Sequence, residues 1–126
     1  MVCLAEMSEE LIGELILYPI LFLTGLVFVG LSIPMILKKI PPNQYYGWRT
    51  PKAFQSEDIW YEINHYSGRD LCLVGIVQIL FNIVMLILRF WDSTLAFYLV
   101  TPGNVVILVG GTTIMSIRGF RYLKKL

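Results

Sequence analysis

The stretch "LCLVGIVQILFNIVMLIL", residues 71–88, decides the fold because it contains no charged residue. A helix needs roughly 20 mostly apolar residues to cross a hydrocarbon core of ~30 Å. Two further stretches are equally apolar: "LILYPILFLTGLVFVGLSIPMIL" (15–37) and "LAFYLVTPGNVVILVGGTTIMSI" (95–117). A chain of 126 residues has too few polar residues left to cover three such runs in water. The sequence therefore predicts an integral membrane protein.

The overall composition agrees with this class. Hydrophobic residues make up 56% of the chain and charged residues 15%, whereas charged residues are about a quarter of a typical soluble domain. We predict an all-α membrane domain over residues 1–126, with transmembrane helices over about 15–37, 71–88 and 95–117. A cytoplasmic loop, 38–70, should join the first two helices and carry a short interfacial helix over about 57–66.

The distribution of basic residues predicts the orientation. Nine of the ten Lys and Arg residues lie either in the 38–70 loop or in the tail after Ile117. Only Arg89 falls in the short turn between the second and third apolar runs. Because loops rich in Lys and Arg remain on the cytoplasmic side, we expect the N-terminus outside and the C-terminus inside. Cys3 and Cys72 then lie on opposite sides, which excludes a disulfide between them.

The short helix is predicted from a capping pattern followed by apolar residues at helical spacing. Ser56 is a good N-cap, with acids directly after it. Ile59, Trp60 and Ile63 recur on one face, and Ser67-Gly68 is typical of a helix end. We expect this helix to lie flat at the membrane surface, with Trp60 at the level of the lipid headgroups.

Polar residues inside the apolar runs form a second pattern. Gln78 and Asn82 are one turn apart, and Asn104 follows the Thr101-Pro102-Gly103 sequence on the third helix. At 1.5 Å per residue, Asn82 and Asn104 lie at about the same depth. The four polar residues Gln78, Asn82, Thr101 and Asn104 should therefore face the bundle interior. They either join the helices by hydrogen bonds or line a polar pocket entered from outside, where Pro102-Gly103 breaks the helix.

The loop segment "PPNQYYGWRTPKAFQSEDIW", residues 41–60, is polar, aromatic and rich in turn-forming residues. Its Arg49 offers a fork of donors suited to phosphate or carboxylate. Three roles are open for Arg49: it binds lipid phosphate, it pairs with one of the nearby acids, or it belongs to a binding platform. The acids within reach are Glu57, Asp58 and Glu62.

The spacing of the loop residues resembles that of the SdpI-like family of membrane immunity proteins. The matching residues are Pro42-Asn43, Gly47-Trp48-Arg49-Thr50, Trp60, Asn64 and Gly68. Trp48 stands where an aliphatic residue is expected. The resemblance implies a short, single-unit member of a family that confers resistance to secreted peptide toxins. Some members also relay the presence of the toxin to a cytoplasmic repressor. It further implies that Asn43, Gly47, Arg49, Thr50, Trp60, Asn64 and Gly68 bind a partner or lipid headgroups.

Two other functions compete with this one. The chain could be a structural or accessory subunit that forms a homo-oligomer or packs in a larger complex. It could instead be a metal-dependent interfacial enzyme using Asp58, Glu62 and His65, although one His with two carboxylates on a helix face is more typical of a solvated surface. We expect no enzyme activity, no cofactor, no bound metal and no nucleic-acid partner. The expected partners are the lipid bilayer, a peptide toxin or a membrane or cytoplasmic protein, and further copies of the chain.

Overall fold

The computed structural model describes residues 9–126, with the backbone only at Glu10; Cys3 lies outside this range. Within it the chain is helical apart from the loop 37–56, the tight turn at Asp92 and the last three residues. The elements are α1 (Glu9–Ile36), a 3-10 turn (Ala53–Gln55), α2 (Glu57–Trp91), α3 (Ser93–Val105), a π turn (Val106–Gly110) and α4 (Gly111–Leu123). Because α3, the π turn and α4 continue one another, they form a third long helix, Ser93–Leu123.

The three long helices are apolar and long enough to cross a membrane, which confirms the predicted fold class. Within their most apolar windows only 11%, 22% and 17% of residues are buried inside the protein. Most of this apolar surface therefore faces outward, and hydrocarbon is the solvent that suits it.

The bundle has two ends with different connections. At the turn end, the single residue Asp92 joins α2 to α3: its backbone N–H donates to Leu88 O at 2.8 Å, and its Oδ1 accepts from Leu95 N at 2.9 Å. At the loop end, residues 37–56 join α1 to α2. There α1 ends in a Schellman motif, in which Lys38 has a positive φ of 55° and Lys39 N donates to Pro34 O at 3.0 Å.

Helix α2 differs from the prediction, because the expected interfacial helix is not a separate element. Residues 57–66 are helical, and the Ser56 hydroxyl caps them by accepting from Ile59 N at 3.2 Å. However, the helix continues through Ser67-Gly68 to Trp91. Gly68 is there for close packing, since a Cβ on it would lie 2.8 Å from Met35 Cβ and 3.2 Å from Ile36 N. It allows α1 and α2 to approach at the loop end.

The position of Trp60 was also predicted wrongly. Trp60 and Ile63 are fully buried in a small core at the loop end, together with Ala53 and Leu123. The apolar face of residues 57–66 therefore packs against the chain's own loop and third helix, and not against lipid headgroups. Phe54 covers Trp60, with the two ring centroids 5.0 Å apart.

The prolines do not interrupt the helices. Helix α1 continues through Pro19 and Pro34, and α3 continues through Pro102. The predicted break at Pro102-Gly103 is therefore absent, and the irregularity lies at the π turn that follows. Proline removes one hydrogen bond from a helix, and a nearby π turn is a common way of absorbing the disturbance.

We predict that Gly68→Val lowers the unfolding temperature of the detergent-solubilised protein, because the added side chain would overlap Met35 and the α1 backbone. Overpacking of this kind costs about 1–3 kcal/mol. Gly30→Val is the matched control, since a Cβ at Gly30 meets nothing within 4 Å. Equal unfolding temperatures for the two variants would contradict the close approach of α1 and α2.

Candidate functional site

Three buried amides join α2 to the third helix near the middle of the bundle. Gln78, Asn82 and Asn104 are each at most 3% exposed. Asn82 Nδ2 donates to Asn104 Oδ1 at 2.9 Å, Gln78 Nε2 donates to the same oxygen, and Asn104 Nδ2 donates back to Asn82 Oδ1 at 3.2 Å. Asn82 and Asn104 also donate to helix carbonyls at 2.8 and 2.6 Å. We call these three residues the amide cluster.

Thr101 does not belong to the amide cluster, although the sequence placed it there. Its side chain is exposed and makes no hydrogen bond with the three amides. The buried residues of α3 recur every four positions, at Ala96, Val100 and Asn104, and Thr101 lies off this buried face. One acceptor of the cluster, Gln78 Oε1, is buried without a hydrogen-bond partner among the described residues.

The amide cluster borders a groove between α1 and α2 that extends to the turn end. We call it the turn-end groove; its volume is about 450 Å³. Helix α1 contributes Glu14, Tyr18 and Phe22, which are four residues apart and so share one face. Helix α2 contributes Asn82 and, nearer the turn, Arg89. The walls between these residues are apolar.

An ion pair lines the groove at the turn end. Arg89 donates to Glu14 Oε2 from Nε at 2.8 Å and from Nη2 at 2.6 Å. The Glu14 side chain is 7% exposed, so its charge depends on Arg89 for compensation. One turn deeper, the Tyr18 hydroxyl is buried and has no hydrogen-bond partner among residues 9–126.

Sequence reasoning did not identify Glu14, Arg89 and Tyr18 as site residues. The sequence did contain an indication of the ion pair, because Glu14 and Arg89 have opposite charges and lie at adjoining ends of two antiparallel helices, α1 and α2. Tyr18 carried no signal, since a tyrosine near a helix end is typical of a membrane interface. Only the packing of α1 on α2 shows that its hydroxyl points away from water.

The loop at the other end is built by its own asparagine and glycine. Asn43 Oδ1 accepts from Tyr45 N at 2.9 Å and from Tyr46 N at 2.7 Å, which fixes a tight turn. Gly47 has a φ of 108°, which disfavours any other residue. Burial raises the pKa of the Tyr46 phenol above its ordinary value.

Asn64 on α2 attaches this loop to the bundle. Its Oδ1 accepts from Trp48 N at 2.7 Å, and its Nδ2 donates to Trp60 O at 2.8 Å. Trp60 Nε1 in turn donates to Ile40 O at 2.8 Å, which holds the start of the loop. The Trp48 ring lies against Gly119 and meets Phe120 edge-on at 5.1 Å between centroids. The loop therefore contacts both α2 and the end of the third helix.

Arg49 and Thr50 have local roles in this arrangement. Arg49 is exposed and donates to Gln44 O at 2.6 Å, and it does not make the alternative pairing with Glu57, Asp58 or Glu62. The Thr50 hydroxyl accepts from Ala53 N at 3.4 Å at the start of the 3-10 turn. Of the loop-motif residues, Asn43, Gly47, Thr50, Trp60, Asn64 and Gly68 all shape or pack the loop end. The Arg49 side chain is the one that stays available at its surface.

The three candidate metal ligands do not form a site. Glu62 pairs with Lys38 and accepts from the Tyr122 hydroxyl at 3.4 Å, and His65 Nδ1 lies 2.6 Å from Ile36 O. Asp58 is exposed in the first turn of α2. Among the residues that the structure describes, no group of three His, Cys, Asp or Glu side chains could hold a metal ion. The structure therefore does not bring Asp58, Glu62 and His65 together as a set of metal ligands.

We predict that Asn104→Leu destabilises the protein by about 1–3 kcal/mol, because it leaves the amides of Gln78 and Asn82 buried without their partner. Denaturation in mixed detergent micelles measures this loss. Thr101→Val, which changes an exposed residue on the same helix, should have little effect. If both variants unfold at the same denaturant concentration as the unmodified protein, the amide cluster does not hold the helices together.

Asn64→Leu should release the loop from α2 and increase the rate of trypsin cleavage after Arg49 and Lys52. A lost buried hydrogen bond costs about 1–3 kcal/mol, so cleavage should become about fivefold to 150-fold faster. Gln55→Leu, an exposed change in the same segment, is the control. An unchanged cleavage rate for Asn64→Leu would contradict the attachment of the loop through this residue.

Three spanning helices, polar groups buried between them and a loop fixed at one end define a multi-pass helical membrane protein. The chain belongs to the SdpI/YfhL protein family, whose model matches residues 39–117, from the loop to the third helix. This confirms the resemblance seen in the loop residues.

A relative in this family is the uncharacterized protein YfhL of Bacillus subtilis (strain 168). It is 38% identical over 60 residues, which cover 44% of this chain and 54% of the relative. The match therefore spans about half of the relative's length. No solved structure matches the chain.

Proposed function

We propose that this protein confers resistance to a secreted, membrane-active peptide by binding it in the turn-end groove. The SdpI family includes immunity proteins, which supports the general role. The observation that carries the proposal is the buried Tyr18 hydroxyl, which has no hydrogen-bond partner among the described residues, 9–126; Tyr18 lines the groove between the Glu14–Arg89 pair and Asn82.

The order of polar groups along the groove suits a peptide better than a hydrocarbon chain. From Glu14 to Phe22 the groove follows α1 for about 12 Å. Over this length it presents an ion pair, a phenol and an amide in turn, with apolar walls between them. A lipid tail would leave the phenol unsatisfied, whereas a peptide backbone offers donors and acceptors at successive depths.

The distribution of charge supports an orientation in which the turn end faces outward. Nine of the ten Lys and Arg residues lie at the loop end, and positive loops remain in the cytoplasm. In this orientation the N-terminus is outside and the C-terminus inside. The groove then opens in the outer leaflet, where a secreted peptide arrives.

The role proposed is one of binding without catalysis. Arg89 is engaged by Glu14, and the groove's other polar groups are a phenol and an amide, which recognise a ligand by hydrogen bonding. Binding in the groove would hold the peptide as a complex within the outer leaflet and so prevent it from assembling into a membrane-disrupting form.

We predict that cells without the gene are more sensitive to at least one secreted membrane-active peptide, and that Tyr18→Phe restores resistance less well than the unmodified gene. The variant removes a single hydroxyl, and one hydrogen bond of ~1 kcal/mol corresponds to a roughly fivefold change in affinity. Growth inhibition across a panel of purified peptides and culture supernatants measures the effect. Tyr98→Phe is the matched control, because Tyr98 is 69% exposed on α3 and lies outside the groove.

Two results would contradict the proposal. Sensitivity to every peptide of the panel could be unchanged by the deletion, or Tyr18→Phe and Tyr98→Phe could protect equally well. The alternative function, a structural or accessory subunit, predicts a different result: a stoichiometric protein partner that co-purifies with the chain and determines its native mass in detergent.

A further inference from the structure

We propose that a second groove, at the loop end between α2 and the third helix, binds one anionic phospholipid. An acyl chain would lie in the groove and the phosphate beside Arg118. This site is separate from the turn-end groove, and its ligand does not depend on the function proposed above. We call it the loop-end groove.

The loop-end groove has the size and depth of a lipid site. Its volume is about 440 Å³, and its walls are apolar side chains such as Val77 and Ile114. It extends along the third helix from Val106 to Arg118, which is about 18 Å at 1.5 Å per residue. One leaflet contributes roughly half of a ~30 Å hydrocarbon core, so the groove follows the depth of one leaflet.

Gly110, the last residue of the π turn, and Gly111, the first residue of α4, both border this space. Gly111 packs tightly on α2, since a Cβ there would lie 2.9 Å from Val74 Cγ2. Gly110 is different: a Cβ on it would meet no atom within 4 Å, although the residue lines the groove. The helices are thus in contact at Gly111, and the surface beside Gly110 is left open to an occupant from outside the chain.

The charge at one end of the groove identifies the occupant as anionic. Arg118 Nε donates to Asp70 Oδ2 at 2.8 Å, and its guanidinium carbon lies 5.6 Å from the Tyr66 ring centroid. The Arg118 side chain is therefore held in place but remains 52% exposed, whereas the Asp70 side chain is 14% exposed. Arg69 and Arg121 add two exposed cations nearby in sequence, which outweigh the single carboxylate.

An apolar groove of leaflet depth, with a fixed arginine at the end nearest the loop, matches the two parts of a phospholipid. The acyl chain gains contact with the groove, and the phosphate gains a charge-assisted hydrogen bond at the depth where headgroups lie. A neutral or zwitterionic lipid would gain the contact between its acyl chain and the groove, but little net electrostatic attraction from the three arginines.

The experiment is native mass spectrometry of the detergent-purified chain, mixed with equal amounts of palmitoyl-oleoyl phosphatidylglycerol and phosphatidylcholine. The unmodified protein should retain one phosphatidylglycerol in preference to phosphatidylcholine. Gly110→Leu should abolish this retention by filling the groove. Arg118→Gln should weaken it about fivefold, the effect of removing one cation close to an anionic lipid surface.

Gly30→Leu is the matched control, because it places the same side chain on an open surface of α1, where a Cβ meets nothing within 4 Å. It should bind phosphatidylglycerol as the unmodified protein does. Circular dichroism of each variant verifies that the helices are intact, and Gly110→Ala, a smaller change, should give intermediate retention.

Several results would overturn the inference. Retention could be equal in Gly110→Leu and Gly30→Leu, or phosphatidylcholine could bind as well as phosphatidylglycerol and be insensitive to Arg118→Gln. Displacement of the lipid by excess inorganic phosphate would assign the site to a free anion. Loss of a dimer in Gly110→Leu, with lipid retention unchanged, would assign the groove to a second copy of the chain.

Discussion

Hydrocarbon offers no hydrogen bonds, and this constraint governs the rest of the structure. Backbone groups within the bilayer must be paired within helices, and side-chain amides must find partners between them. The amide cluster meets most of this requirement by joining α2 to the third helix through one shared acceptor, Asn104 Oδ1, and of its atoms only Gln78 Oε1 is left without a partner among the described residues. Helices α1 and α2 are joined in a different way, by close packing at Gly68, where the absence of a side chain lets the two backbones approach. Few interior contacts are needed because lipid covers most of the remaining surface.

The two ends of the bundle use polar residues in different ways. At the loop end they mainly stabilise the fold. Asn64 is hydrogen-bonded to the backbone of Trp48 and of Trp60, and the small core beside it includes residues from the start of α2. At the turn end, a phenol and part of the amide cluster line a groove together with the Glu14–Arg89 pair. The family's loop motif therefore has a clear structural role here, and the residues we propose for recognition lie at the opposite end.

Much of this arrangement could be predicted from sequence, because apolar run length and amide spacing are local properties. The three spanning helices and the alignment of Asn82 with Asn104 follow from them directly. The continuity of α2 could not be predicted. A glycine that ends a helix cannot be distinguished in sequence from a glycine that allows a neighbouring backbone to pack closely, because the difference depends on the neighbouring helix. Gly68 is the second kind. The Glu14–Arg89 pair is similar, because it depends on how far α1 and α2 slide along each other.

The measurement that tests this account most directly is the accessibility of single cysteines in intact cells. Tyr45→Cys reports on the loop end, where Tyr45 is 90% exposed, and Thr94→Cys reports on the turn end, each with Cys3 and Cys72 replaced by serine. The account predicts that a membrane-impermeant maleimide labels position 94 in intact cells and position 45 only after permeabilisation. Labelling of position 45 in intact cells would contradict it, since the turn-end groove would then face the cytoplasm.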